Sequence, residues 1–206
     1  MAIGFAIRAD LHHVELALAS VKNGVPRAAN RAINRTLTTV RADAARRVAA
    51  DIGGLPINEV RKALVVTKSR FSTLRGVITI TGRRIPLIKL RPSPSEPPSR
   101  GKGQGVSYVG AGGGRVRIPD AFIVRLRSGH VGVFKRRPPS VRKSAGAWSK
   151  NLPLTKELEG PSIPRVAAKR SILTALKTLG QTTLARNLQS EIRFLLGTRR
   201  VPAGDD

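Results

Sequence analysis

The sequence predicts an α+β fold: a small antiparallel β-sheet packed by long N-terminal and C-terminal helices, with extended basic loops. Apolar residues recur at steps of three and four in residues 10–52 and again in residues 161–197, which is typical of amphipathic helices. Between these segments, short stretches alternate apolar and polar residues and are rich in β-branched side chains, as half-buried strands are. With 206 residues the chain is long enough for a substantial core, and we expect residues 1–206 to form a single domain.

Residues 10–52 predict two helices that are separated near Asn23-Gly24. The second is the clearest element in the sequence: it begins near Pro26, which suits a first helical turn, and ends at Gly53-Gly54. Its apolar stripe consists of Ile33, Leu37, Val40, Ala44, Val48 and Ile52. A second face, roughly 140° away around the helix, carries Arg27, Arg31, Arg35, Arg41 and Arg46. We expect the stripe to enter the core and this basic helix face to present guanidinium groups outward.

Strands are predicted within residues 75–137. RGVITITG alternates, IPLIKL is a shorter strand that Pro86 places at a sheet edge, and AFIVRLRSGHVGVFKR is a hairpin with Gly129 in its turn. We expect residues 75–90 and 120–136 to build one antiparallel sheet. Before these strands, LPINEVRKAL indicates a short helix or turn.

Two segments rich in proline, glycine and serine are predicted to lack regular structure. They are a long loop at residues 91–117 and a basic arm at residues 138–160. We expect both to project from the core. After them, Ser162 and Pro164 begin a C-terminal helix that extends to Gly197.

Positive charge is concentrated in the strand and loop region. The chain carries 38 lysines and arginines against 12 acids, a net charge of +26. Residues 60–156 hold 22 of these cations and only two acids, Glu96 and Asp120, so this segment alone carries +20. Such a charge exceeds what solubility requires and indicates a polyanionic or acidic partner rather than a solvated surface.

The predicted contact residues are the cations of the loop, the hairpin end and the arm. Phosphate contacts require only cations within reach of a backbone, whereas sequence readout requires a recognition element that the sequence lacks. Aromatic residues that could stack on single strands are few, with Tyr108 and Trp148 in the loop and arm. Acidic surfaces of neighbouring proteins explain the charge equally well. The candidates for polyanion or neighbour contact are Arg100, Lys102, Arg115, Arg117, Lys135, Arg136, Arg137, Arg142 and Lys143, together with the basic helix face.

The sequence predicts no enzyme, no metal site and no cofactor. Adjacent His12 and His13 point to different faces of a helix, so they cannot chelate one ion as an i, i+4 pair does. His130 lies in a turn without an acid or cysteine beside it along the chain, and Lys102 lacks the following Ser or Thr of a phosphate-binding loop. The sequence has no acidic cluster for a nuclease, no cysteine and no apolar stretch of transmembrane length.

Four segments, taken in order, resemble one known family. AINRT in the basic helix, IPLIKL, AFIVRLRSGHVGVFKR, and LPLTKELEGPSIPRV before the closing helix are similar to the minor tail protein Z family of tailed bacteriophages. The resemblance extends from about Gly24 to Leu196, whereas the glycine-rich Gly101–Gly114 and the scarcity of aromatic residues depart from the family pattern. It implies an α+β virion structural protein without catalysis, which acts in tail completion at the head-proximal end and in placement of the genome end.

The resemblance also implies partners. Related tail-completion proteins form rings, commonly of six subunits, so we expect this chain to assemble with itself as a hexamer. Tail terminator, tail tube or head–tail connector proteins are its expected neighbours, with non-specific contact to the packaged DNA end and no membrane. The implied location is the head-proximal tail of the virion, after assembly in the host cytoplasm. Composition alone leaves one alternative: a free basic nucleic-acid-binding protein of chromatin or ribosomal type, which retains duplex DNA or RNA without other proteins.

Overall fold

The centre of the molecule is a pair of long antiparallel helices, α1 (Gly24–Ile52) and α4 (Arg170–Gly197). The structure, a computed structural model, describes residues 2–8, 16, 18, 21–97, 105–136 and 154–197. Thr36 hydrogen-bonds to Asn187 and Asp51 to Lys169, so the beginning of each helix lies beside the end of the other. Two short helices, α2 (Ile57–Ala63) and α3 (Ile163–Ala167), complete the helical part.

Helix α1 has the two faces that the sequence predicts. Pro26 lies in its first turn, and Gly53, at a φ of 86°, ends it. All six members of the predicted apolar stripe are buried, and all five arginines of the basic helix face are exposed. Of the predicted helix at residues 10–22, Leu16 and Leu18 are helical and Leu18 is buried, while residues 10–15, 17, 19 and 20 lie outside the described residues.

A three-stranded antiparallel sheet packs against α1. Its strands are β1 (Ala2–Arg8), β2 (Leu64–Thr67) and β3 (Arg75–Thr81), in the order β1-β3-β2. Gly76, Ile78 and Ile80 are the buried positions of β3. A Cβ at Gly76 would lie 2.4 Å from Cδ1 of Leu37 on α1, so this face of the sheet rests directly on the apolar stripe.

The other strands form three separate two-stranded ladders among the described residues. They are β4 (Arg84–Pro86) with β9 (Glu159–Ser162), β5 (Val106–Val109) with β6 (Arg115–Ile118), and β7 (Ala121–Arg125) with β8 (Val131–Lys135). The predicted hairpin is confirmed as β7–β8, with Gly129 at a φ of 82° in its turn. The prediction that residues 75–90 and 120–136 build one sheet is wrong. Both edges of β3 are occupied by β1 and β2, two strands that the sequence did not predict.

Three predicted boundaries also need correction. The strand expected in IPLIKL ends at Pro86 and continues as a 3₁₀ turn, Leu87–Lys89. The loop expected at residues 91–117 contains the β5–β6 hairpin, in which Val106 is fully buried. The glycine-rich turn of this hairpin gave the segment the composition of a loop, so its strands were not predicted. The end of the arm expected at residues 138–160 lies along β8, where the Leu158 N–H donates to Val133 O at 2.8 Å.

The C-terminal helix and the aliphatic core follow the sequence closely. The predicted helix at residues 161–197 is divided into α3 and α4, and Ser162 caps α3 by accepting a hydrogen bond from the Arg165 N–H at 3.4 Å. Buried aliphatic residues from all the helices and from both ends of the chain form one cluster. Among the described residues, Phe134 is the only buried aromatic. The α+β class is therefore confirmed.

Candidate functional site

The described part of the chain places four of the nine predicted contact residues from the loop, hairpin and arm. Arg115 and Arg117 lie on β6, while Lys135 and Arg136 lie at the end of the β7–β8 hairpin. The other five, Arg100, Lys102, Arg137, Arg142 and Lys143, lie outside the described residues.

Arg115 is held within its own hairpin, although it is exposed. Its Nε lies 3.3 Å from the hydroxyl of Ser107, and a terminal nitrogen donates to the carbonyls of Arg91 and Ser107, each at 3.3 Å. Arg117, two residues further along β6, is exposed as well. The guanidinium of Arg115 thus joins β6 to β5 and to the end of the preceding segment.

The hairpin end is fixed by backbone pairing with residues 154–158. The Lys135 N–H donates to the hydroxyl of Thr155 at 3.1 Å, and the Thr155 N–H donates to Lys135 O at 2.8 Å. The guanidinium carbon of Arg136 lies 5.4 Å from the centre of the Phe122 ring, within the range of a cation–π interaction. These contacts give Lys135 and Arg136 a defined place on a rigid hairpin.

The basic helix face is bound largely within the molecule. Arg41 donates to the carbonyl of Arg61 at 3.1 Å, and Arg46 lies 3.6 Å from a carboxylate oxygen of Asp43. Arg31 and Arg35 both contact Glu191 of α4. Of these five arginines, only Arg27 makes no hydrogen bond or ion pair through its side chain with the described chain. Four of the five guanidinium groups of this face therefore contact a carboxylate or a carbonyl of the same chain, contrary to the expectation that all five are presented outward.

Glu191 is the buried centre of this arrangement. Its side chain is 8% exposed, and its two oxygens lie 3.5 Å from Arg31 and 2.9 Å from Arg35. The arginines themselves are half exposed, and Arg31 also lies 5.7 Å from the centre of the Phe194 ring. A buried carboxylate needs such partners, because an unpaired charge loses far more hydration energy than it recovers from the interior. The sequence contains one signal for this role, since Glu191 is the sole acid in α4.

Three polar residues of the AINRT segment of α1 make long-range contacts. Asn34 accepts from the Ser69 N–H at 2.9 Å and donates to Ser69 O at 3.3 Å, which fixes the turn before β3. Arg35 contacts Glu191, and the Thr36 hydroxyl accepts from the Asn187 amide at 3.0 Å. Three consecutive side chains thus bind a turn and two positions of α4, so this segment serves the architecture of the subunit.

The acids of the described chain are engaged mainly near the helices. Asp43 pairs with Arg46 and Arg47, Asp51 with Lys169, Glu59 with Lys62, Glu157 with His130, and Glu191 with Arg31 and Arg35. The hydrogen bond from Lys62, at 2.7 Å, and the charge of that ammonium lower the pKa of Glu59. Few carboxylates are therefore left to neutralise the strand region.

Between residues 68 and 127, nine exposed cations make no hydrogen bond or ion pair through their side chains with the described chain. They occupy turns and strand ends, where side chains point away from the core. Their charge is part of the total along the sequence, but no periodic pattern marks them as a set. These nine, the strand-region cations, are Lys68, Arg70, Arg75, Arg83, Arg84, Lys89, Arg91, Arg125 and Arg127.

Among the described residues, His130 is the sole histidine. His130 is exposed, and its Nε2 lies 3.0 Å from a carboxylate oxygen of Glu157, a partner that is 27 residues away along the chain. No group of three or more potential metal ligands occurs in the described ranges, and no helix there is long and apolar enough to cross a membrane. Tyr108 packs against the core, which leaves little of it for base stacking, while His12, His13 and Trp148 lie outside the described residues.

Comparison with known proteins supplies one match. The model of the family described as prophage minor tail protein Z matches residues 15–200 of the 206-residue chain. No curated protein and no solved structure matched the chain. The match includes both long helices and all the strands except β1.

Proposed function

Because the chain belongs to the prophage minor tail protein Z family and is thus a structural protein of a phage tail, we propose that it acts in tail completion at the head-proximal end and in placement of the genome end. In this proposal it assembles with copies of itself as a ring, with six copies as the expected number. Tail terminator, tail tube or head–tail connector proteins and the end of the packaged DNA are its neighbours. It reaches that position from the host cytoplasm.

The observation that carries the proposal is the set of strand-region cations. Nine exposed positive charges without a side-chain hydrogen bond or ion pair in the described chain repel one another, and that repulsion opposes any assembly that brings several copies together. A nearby acidic surface or nucleic-acid backbone relieves the repulsion. Binding to it also releases counterions, which makes the free energy of binding more favourable. A head–tail junction supplies both kinds of surface, which is why we prefer it to a free nucleic-acid-binding protein.

The outward face of the β1-β3-β2 sheet supports self-association. Alternation along the strands places its residues opposite the buried ones, and from the pair Ala2–Thr81 to the pair Ala6–Val77 none of them is charged. In a chain with 24% charged residues, two copies can approach here without opposing like charges. Val65, 54% exposed, is a large apolar side chain on this face that is open to solvent. The face consists of Ala2, Gly4, Ala6, Val65, Thr67, Val77, Thr79 and Thr81.

The self-association proposal is tested by one pair of variants. Val65→Arg places a cation on the uncharged face, and Val116→Arg makes the same change at a strand position that is 45% exposed on β6. We expect sedimentation of the purified protein at about 0.3 M salt, where the Debye length is short, to show loss of the oligomer for Val65→Arg alone. Equal sedimentation of the two variants, or a monomeric unmodified chain over the whole concentration range, would reject the sheet face as the contact.

The location is tested in particles. Phage made without the chain are complemented by a tagged copy, and mass spectrometry and electron microscopy of purified particles locate the tag. We expect tag density at the head-proximal end of the tail and, without the chain, tails that fail to yield infectious particles. Absence of the chain from particles, combined with salt-sensitive binding of the free protein to DNA, would favour the chromatin- or ribosome-type alternative.

A further inference from the structure

A polar groove lies between the two long helices, on the outer side of their seam. Its volume is about 480 Å³, and it is lined by Arg35, Thr38 and Thr39 from α1 and by Arg186, Asn187 and Ser190 from α4. None of these six residues is acidic. An adjoining groove shares Arg35 and contains one acid, Glu191, whose two oxygens are already engaged by Arg31 and Arg35. The first groove is therefore lined by two arginines and by no carboxylate.

The hydrogen-bond donors that remain in the groove come from both walls. The hydroxyls of Thr38 and Thr39 donate to helix carbonyls at 3.2 and 3.4 Å, so their hydrogens are engaged. On the α1 wall, Arg35 uses one terminal nitrogen for Glu191 and keeps its other donors. On the opposite wall, Arg186 and Ser190 make no side-chain hydrogen bond or ion pair with the described chain, and the Asn187 amide donates once, to Thr36.

The walls are rigid, because internal contacts fix them. Glu191 orients the Arg35 guanidinium at 2.9 Å, and the bond between Thr36 and Asn187 links the two helices at the level of the groove. Both walls belong to helices of 29 and 28 residues that are buried along their inner faces. The Arg35 guanidinium, held in this way, loses little conformational entropy when an anion binds.

From this geometry we infer that the groove between α1 and α4 binds a phosphate group, and that the group is part of a nucleic-acid backbone. A phosphate presents oxygens in tetrahedral directions and can accept from donors on both walls at once, whereas a carboxylate presents two oxygens in one plane. Guanidinium groups pair with phosphate through two parallel hydrogen bonds. The inference deepens the proposed function and rests on it for the identity of the nucleic acid, which would be the packaged DNA end. Arg186 was not among the residues that the sequence singled out.

A matched pair of variants on α4 tests the inference with the full chain. Arg186→Gln removes a donor of the groove, while Arg170→Gln makes the same charge change on an exposed arginine 16 residues away, roughly 24 Å along the helix and on its opposite side. Fluorescence anisotropy with a labelled 20-base-pair duplex is measured over a series of salt concentrations. We expect Arg186→Gln to weaken binding about tenfold and to reduce the slope of log K against log salt by about one. Arg170→Gln should leave the slope unchanged.

Three outcomes overturn the inference. Equal losses for Arg186→Gln and Arg170→Gln would mean that only net charge matters, and unchanged binding by Arg186→Gln would remove the groove from the contact. Poly-glutamate of equal length is the second probe. If Arg186→Gln weakens binding to DNA and to poly-glutamate equally, the groove binds anions in general and is not selective for phosphate. Ser190→Glu, which places a carboxylate in the groove, should weaken DNA binding further, with circular dichroism confirming the fold.

The proposed function can fail separately from this inference. Incorporation of the unmodified chain into particles tests the tail assignment and does not depend on the groove. If the chain is incorporated but Arg186→Gln binds DNA normally, the groove inference fails and the tail assignment stands. If the chain is absent from particles but the two variants differ as expected, the groove inference stands without its viral context.

Discussion

The arginines of α1 and the cations of the strand region have the same charge but different surroundings. Five of the six arginines on α1 contact a carboxylate or a carbonyl of the same chain, and two of them share the buried Glu191. The nine strand-region cations have no such partner in the described chain. A count of charges along the sequence treats these two groups alike, whereas their neighbours distinguish them.

This difference teaches which cations stabilise the subunit and which are left for partners. Removal of one of the five paired α1 arginines leaves a carboxylate or carbonyl without its donor, so the effect falls on stability. Removal of a strand-region cation relieves repulsion and leaves nothing unpaired, so the effect falls on assembly or anion binding. The junction between the two regions and the division between their cations can both be tested by substitution, from the largest expected effect on stability to the smallest.

The largest effect is expected at Gly53, where α1 meets the glycine-rich turn of the strand region. Gly53 has a φ of 86°, and a Cβ there would lie 2.2 Å from Gly110 O. Gly53→Ala should reduce the free energy of unfolding in urea by about 3 kcal/mol, because backbone strain adds to displacement of the turn. Gly129→Ala is the control: its φ is 82° but nothing lies within 4 Å of the new Cβ, so strain alone applies and the loss should be about 1 kcal/mol. Equal losses would show that the turn does not rest on α1.

The second effect concerns Glu191. Glu191→Leu removes the shared partner of Arg31 and Arg35, and thermal or urea unfolding should show a loss of about 2 kcal/mol. The loss stays below that of a fully buried pair, because both arginines are half exposed and can regain water. Glu191→Gln retains an oxygen that can accept from Arg35 and should lose about half as much. A Glu191→Leu variant as stable as the unmodified chain would show that α1 does not depend on its internal partners.

The third prediction removes the charges of Lys135, Arg136 and Arg137. Replacement of all three by glutamine should change the free energy of unfolding by less than about 1 kcal/mol, since the contact of Arg136 with Phe122 is worth no more than that at an exposed site. The same variant should show reduced incorporation into particles. The matched triple variant Arg31, Arg35 and Arg46 to glutamine removes equal charge but should destabilise the fold. Normal infectivity of the hairpin variant would exclude these residues from the contact surface.

The smallest effect is expected at Arg27, which lies on α1 but whose side chain makes no hydrogen bond or ion pair with the described chain. Arg27→Gln should change stability by about 0.3 kcal/mol or less, as an ordinary surface substitution does, whereas Arg35→Gln should lose about 1 kcal/mol. Arg27 would thus behave as a strand-region cation despite its position on the helix. Equal losses for both variants would mean that location on α1, rather than the internal contact, sets the effect.

The helices were predictable because local patterns determine them. Pro26 and Gly53 mark the ends of α1, and its apolar stripe repeats at helical spacing, so its burial followed from the sequence. The β7–β8 hairpin was predictable for a similar reason, as its two strands and turn are adjacent along the chain. Two of the four segments that carry the family resemblance, AINRT and AFIVRLRSGHVGVFKR, belong to α1 and to this hairpin.

Strand partners were not predictable because they are distant along the chain. β3 pairs with β1 from the N-terminus, and β4 pairs with β9, which lies more than 70 residues away. Glycine in β1 and in the β5–β6 turn obscured the alternating pattern. The roles of Arg31 and Arg35 depended on Glu191, whose position beside them results from the antiparallel packing of α1 and α4.

The most direct test of the central claim is arginine modification by phenylglyoxal in the free protein and in assembled particles, read by mass spectrometry. The claim is that the strand-region cations contact an acidic partner in the assembled tail. It predicts that Arg83, Arg84, Arg125 and Arg127 react readily in the free protein and are protected in particles, while Arg35 reacts slowly in both. Equal reactivity of these four arginines in free protein and particles would contradict it, because their charge would then face solvent with no partner.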